Sequence, residues 1–368
     1  MTSDQAVLLA VLATRLVVPL FIPRFPLPAI LASLVIDAAD QSIFQAATDL
    51  DLAGYQGYDK ALDVYYLAIA FLSTMRNWRS PYAALLAAGL WYYRLIGVTL
   101  FELTDVRALL LVFPNTFEYL FIAYETIRLG WDPNRLGRRR LVLLAAFIWV
   151  FIKLPQEWWI HIAKLDFTNV LKRDVLGVPL DASWGTALGE NWWFVALVAV
   201  LAVALVLAVR AVVARAPAPD WPVSFDVDRH PGFPPTGHLQ RTRFFDMVLA
   251  EKVVLIVLVV LIFAQMLPES SVATGPLCLA VAVISIGNAA VSEWWQRRGA
   301  TWATIPRQFV AMLVLNLGLV GLYAVLPHQQ DRRLNEAAAA FFLLLVTLII
   351  TLYDRYRPLR ATRVESAV

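Results

Sequence analysis

Residues 192–214, WWFVALVAVLAVALVLAVRAVVA, decide the class of this protein. Arg210 is the only charge in the run, and it contains neither Gly nor Pro. Wound as a helix at about 1.5 Å per residue, the run reaches about 35 Å, enough to cross a hydrocarbon core about 30 Å thick. The rest of the chain repeats the signal. Of 368 residues, 60% are apolar and 16% charged, well under the ~25% charge usual for soluble domains. Mean hydropathy is +0.65. A soluble enzyme, a disordered tail and a nucleic-acid-binding domain are excluded on these grounds. The expected fold is all-α, a polytopic integral membrane helix bundle of about 11 transmembrane helices.

The candidate spans are residues 6–22, 27–48, 61–75, 82–102, 107–127, 141–162, 192–214, 247–267, 276–294, 307–326 and 335–353. If the second lies along the membrane surface, the count falls to ten. Lys and Arg divide unequally between alternate loops. One set, from Arg24 to Arg363, holds 19 of them, and the other, from Lys60 to Arg333, holds 7. The richer side is expected to be cytoplasmic, which places the N-terminus outside and the C-terminus inside. The net charge of +3 belongs to this loop bias, and no nucleic-acid partner is expected.

Two parts differ in polarity. Residues 1–191, spans one to six plus an outer loop, carry ionisable groups at depth. Residues 192–368, spans seven to eleven, are nearly clean and offer the surface for a homo-oligomer. Within the second part, the proline-rich stretch 215–246 reads as a cytoplasmic linker. The lone Cys278 excludes an intramolecular disulfide and a thiolate zinc site. A metal would be held by carboxylates, which suits Mg²⁺ or another divalent cation.

Charges inside the bilayer cost ~2.5–3.5 kcal/mol each on insertion scales, so they face protein or water and mark candidate sites. Three groups stand out. Asp37 and Asp40 share a face of the second span, and Asp59 and Asp63 share a face of the third. Two helices each offering a pair of carboxylates suit a divalent cation. Arg15 in the first span is expected to pair with Asp37 or Asp40. In spans four to six, Arg94, Asn115, Glu118 and Lys153 fall at similar depth. Arg94 is expected to pair with Glu118, leaving positive charge for an anionic group of a substrate. Finally, Lys153, Glu157 and His161 lie on one face beside Pro155, with Glu157 and His161 as acid/base candidates.

The stretch 37–63 resembles in outline the signature of CDP-alcohol phosphotransferases, Asp-x2-Asp-Gly-x2-Ala-Arg, eight residues, Gly-x3-Asp-x3-Asp. Asp37 and Asp40 match in spacing, eight residues separate Gln45 from Gly54, and Asp59-x3-Asp63 closes the run. Gln41, Phe44 and Gln45 depart from the pattern, and one extra residue lies between Gly54 and Asp59. That family also looks like six spans with a cytoplasm-facing site, whereas the loop bias here puts the cluster outside.

The leading expectation is a protein that binds, and processes if it is an enzyme, an anionic lipid or lipid-linked substrate in a polar cavity of spans two to six. Membrane lipids are then its partners. The rival readings are an ion- or proton-coupled secondary transporter and a non-catalytic membrane scaffold or assembly protein. Scarce glycine, 16 residues in all, weighs against a rocking transporter.

Overall fold

The computed structural model describes residues 3–48, 55–165, 167–230, 245–266, 274–297, 305–325 and 336–367. Among these residues the structure is helical and has no strand. The long helices are α1 (Ser3–Val17), α2 (Pro26–Ala47), α3 (Tyr55–Asn77) and α4 (Pro81–Thr104). A short α5 (Ala108–Val112) leads to α6 (Thr116–Arg128), followed by α7 (Arg138–Ile162). Then come α8 (Trp184–Glu190), α9 (Trp192–Arg215), α10 (Met247–Met266), α11 (Thr274–Arg297), α12 (Ile305–Val325) and α13 (Glu336–Ala367).

Seven stretches among the described residues are long and apolar enough to cross a membrane, including α4, α7, α9 and α10. The chain is a multi-pass membrane helix bundle, and the expected count of eleven spans goes beyond these seven. One apolar core runs through helices of both halves, with Tyr65, Phe71, Trp91 and Phe117 joining Ile256, Val259, Leu345 and Ile349. Tyr58 of α3 packs against Phe341 and Phe342 of α13. The helix whose sequence settles the class, α9, stands apart with no buried residue.

Local chemistry sets the helix ends. Ser80 caps α4, its hydroxyl accepting from the Ala83 N–H at 3.3 Å, and Pro81 opens the first turn. Asp105 closes the helix in the left-handed region, φ 55°.

Two helices expected to be continuous are interrupted at depth. The span predicted over 107–127 breaks between Val112 and Thr116. Pro114 has no N–H to donate and disfavours helical geometry at Phe113, where φ is −111° and ψ 64°. The helix α7 carries π-helical turns at Ile148–Lys153 and Trp158–Ile162, on either side of Pro155. Such turns insert a residue into the ladder and often occur at functional sites.

The break is seated on Gly97 of α4. A Cβ there would lie 2.1 Å from the Cβ of Phe113 and 2.5 Å from its Cγ. Gly97→Ala is therefore expected to cost about 1–3 kcal/mol through overpacking. Gly89→Ala in the same helix meets no atom within 4 Å and should leave the melting temperature in detergent unchanged or slightly higher. Equal melting of the two variants would show that the α4–α5 contact is slack.

Arg24, Arg76, Arg128 and Arg135 gather at one end of the bundle, and residues of the proline-rich stretch fold back across it. The Val227 N–H donates to the Arg24 carbonyl at 3.0 Å and the Asp220 N–H to the Gly130 carbonyl at 2.8 Å. The Trp221 indole donates to the Arg128 carbonyl at 3.1 Å. Arg24 pairs with Asp226, Arg76 with Asp228 and Arg135 with Asp220. Residues 217–230 thus form a docked strap, held by main-chain bonds that the proline count does not reveal. The Arg24 guanidinium beside Asp226 holds that carboxyl below its usual range. The rest of the predicted linker, residues 231–244, lies outside the described residues.

Candidate functional site

The four aspartates converge, and they converge on Arg15. Its guanidinium pairs with Asp37 and Asp40 of α2 and with Asp59 and Asp63 of α3, at 2.5 Å and 2.8 Å for the last two. Arg15 supplies the centre because a planar fork with five N–H groups can serve several carboxylates at once. Only 3% of its side chain is exposed, whereas those of Asp59 and Asp63 are 39% and 42% exposed. One oxygen each from Asp37, Asp59 and Asp63 lies within 4.8 Å of the others, close enough to share a cation. The expected pairing of Arg15 is present with both proposed aspartates, and Asp59 and Asp63 join them.

The second group also assembles, with different pairings from those expected. Glu118 pairs with Lys153 at 3.8 Å, and Arg94 pairs with Glu157 at 3.8 Å. The break before α6 explains the exchange. It frees the Phe113 carbonyl, which accepts from Arg94 at 3.0 Å, and the Val112 carbonyl, which accepts from the Tyr93 hydroxyl at 2.7 Å. It also frees the Asn115 N–H, which donates to Glu157 at 3.3 Å. Arg94 is thereby held on the broken segment beside Glu157, and Glu118 turns to other partners. Tyr66 donates to Glu118 at 2.7 Å and the Asn115 side-chain amide donates to it at 2.8 Å. The Lys153 ammonium sits 4.0 Å above the Tyr119 ring. His161 closes the series at 3.0 Å from Glu157.

The two groups are neighbours. Asp37 lies within electrostatic range of Glu118, and Asp37 and Asp63 within that of Tyr66. A polar track therefore runs from Arg15 through the aspartates, Tyr66 and Glu118 to Lys153, Glu157 and His161. Counted along their helices from the arginine-rich end, Asp37, Asp63, Arg94, Glu118 and Lys153 lie roughly 15–22 Å deep. These residues therefore lie at similar height in the bundle. His161 and Asp59 lie further toward the opposite end.

An aromatic layer separates the track from the arginine-rich end. Trp78 stacks on Tyr124 at 3.8 Å and on Phe121 at 5.9 Å, and Phe71 packs on Trp91 and Phe117. The Trp78 indole donates to Glu125 at 2.7 Å, and Glu125 pairs with Arg128. Rings of this size, all buried, leave little room for water beneath the track.

No family model, curated protein or solved structure matches the chain. The outline likeness of residues 37–63 to a phosphotransferase signature thus stands without a family match behind it. What the arrangement can do follows from its charges. Six carboxylates (Asp37, Asp40, Asp59, Asp63, Glu118, Glu157) face three basic side chains (Arg15, Arg94, Lys153). Fully ionised, these nine groups carry three negative charges in excess. Such a site retains protons or a bound cation. The surplus of positive charge expected around Arg94 and Lys153 is cancelled by Glu157, so it is no longer an argument for an anionic substrate. Tyr66 was not anticipated, although it lies three residues after Asp63 and so on the same face of α3.

Proposed function

We propose that the protein is a proton- or cation-coupled membrane transporter whose coupling ions occupy the polar track. The observation that carries this reading is the excess of three carboxylates along the polar track beside a broken helix. Interrupted helices at the bilayer midplane expose unpaired backbone groups to ions and substrates, and transporters use them for that purpose. The π-helical turns of α7 bring a second deformable element to the same place. By the loop bias, the arginine-rich end is cytoplasmic, the N-terminus outside and the C-terminus inside. The track then opens outward, and the aromatic layer is the inner barrier that must rearrange for release.

The test is flux. Purified protein in liposomes containing a pH-sensitive dye should acidify the lumen under an imposed proton gradient or membrane potential, and Glu118→Gln should reduce the rate at least tenfold. Gln keeps the volume and the Tyr66 contact but cannot give up a proton. Absence of flux in the wild type for H⁺, Na⁺ and K⁺ alike would overturn the reading.

The spacing of the Asp37, Asp59 and Asp63 oxygens supports a second reading, a divalent-metal site serving an anionic lipid or lipid-linked substrate. Mg²⁺ or Mn²⁺ would then have to compete with Arg15 for these carboxylates. Under that reading, either ion raises the melting temperature of the wild type, and Asp63→Ala removes the rise.

A further inference from the structure

A cleft lies at the arginine-rich end, between the docked strap and the ends of α3 and α6. It is lined by Asn77, Arg79, Arg128, Asn134, Trp221 and His230, with Asp132 and Tyr124 beside them. His230 is 5% exposed, and its ring lies on Trp221 with centroids 5.0 Å apart. Its Nδ1 is buried without a hydrogen-bond partner among the described residues. A buried imidazole nitrogen left without a partner is unusual in a folded protein. Burial and the nearby Arg128 hold the ring below the ordinary imidazole range, with a backbone contact to Ser224 opposing them. Nδ1 needs a partner whether or not it carries a proton, an acceptor in one case and a donor in the other.

The surroundings indicate what that partner is. Arg79 and Arg128 put two guanidinium groups on the lining. Asp132 is the one carboxylate among the lining residues, and its Oδ1 is occupied by the backbone and side-chain N–H groups of Asn134, at 3.0 Å and 2.7 Å. Arg128 is fixed by Glu125, which balances its charge, and by the Asn77 carbonyl, and Arg79 brings the exposed guanidinium to the lining. The run Arg138, Arg139 and Arg140 adds positive field at the same end. A protonated phosphate offers both an O–H and anionic oxygens, and so satisfies either tautomer of His230 while meeting the guanidinium groups.

We propose that this cleft is a binding site for a phosphate group. The group comes either from the headgroup of an anionic lipid at the membrane surface or from a soluble phosphate compound. This site lies across the aromatic layer from the polar track and does not depend on the transport reading.

The experiment uses the full chain. Its melting temperature in detergent is titrated with inorganic phosphate against chloride of equal ionic strength. It is also measured in nanodiscs of phosphatidylcholine with and without phosphatidic acid. The expected result is a saturable rise with one or both probes, whose midpoint moves at least tenfold in Arg79→Gln and in His230→Phe. A rise with inorganic phosphate assigns the site to soluble phosphate. A rise confined to phosphatidic acid assigns it to a headgroup. Arg79 is on the surface, so Arg79→Gln keeps the test decisive even if His230→Phe fails to fold. The proposal is overturned if the wild type shows no saturable rise with either probe, or if Arg79→Gln retains the wild-type midpoint.

Discussion

Arg15→Met should be the most damaging single substitution in the chain. It removes the one guanidinium that four aspartates share, the buried Asp40 among them. Removing one member of a buried ion pair costs about 3–5 kcal/mol because the other charge is stranded. Here four carboxylates lose their centre together, so the expected outcome is loss of monodisperse protein on size-exclusion chromatography in detergent. Arg15→Lys should recover the fold only in part, since an ammonium is a point charge and cannot serve carboxylates from two helices as a fork does. Adding Asp40→Asn to Arg15→Met should recover more, because it removes the most deeply buried of the four carboxylates. If Arg15→Met behaved like the wild type, the first three helices would be held by packing and by bonds such as that from the Tyr65 hydroxyl to the Leu16 carbonyl, and the cluster would be peripheral.

The class of fold was legible because hydrophobic length is a one-dimensional quantity. A stretch such as 192–214 needs no partner to be read, and α9 has none in its buried core. The convergence of Asp37, Asp40, Asp59 and Asp63 was legible too. It follows from helical periodicity and from the hairpin that sets α2 beside α3, and the need to neutralise Arg15 at depth made its partners foreseeable. Pairing across more distant elements was not legible. Depth alone puts Arg94 level with Glu118, but the choice between Glu118 and Glu157 is set by which carbonyls the break at Pro114 frees. Proline marks where a helix can break, and whether it does depends on Gly97 leaving space for Phe113. The strap was missed for a related reason. Its hold on the bundle is largely main-chain and through single pairs such as Arg24–Asp226, which leave no periodic trace in the sequence.

The same limit hid a second buried ion pair, which supplies the contrast to Arg15. Lys252 of α10 is fully buried and pairs with Asp354 of α13 at 2.7 Å, while its ammonium also donates to the Ser285 carbonyl at 2.9 Å. Both residues lie near the ends of their predicted spans, where a charge looks as if it reaches water. Around them Asn288 donates to Asn316 at 2.9 Å, and Asn316 to Thr347 at 3.0 Å. Unlike the polar track, this pair balances one charge against one. Lys252→Met should therefore cost about 3–5 kcal/mol by removing the ammonium from the buried Asp354. The double variant Lys252→Met with Asp354→Leu should return to near the wild-type melting temperature, since apolar replacement of a whole buried pair is often neutral or stabilising. On the transport reading, flux should survive the double change, because no excess charge is lost. Melting in detergent and flux in liposomes check the two halves of this expectation separately. Recovery of stability with loss of flux would move the working charges into the second half of the chain. Failure to recover stability would mean that the Ser285–Asn288–Asn316 neighbourhood depends on the ammonium itself.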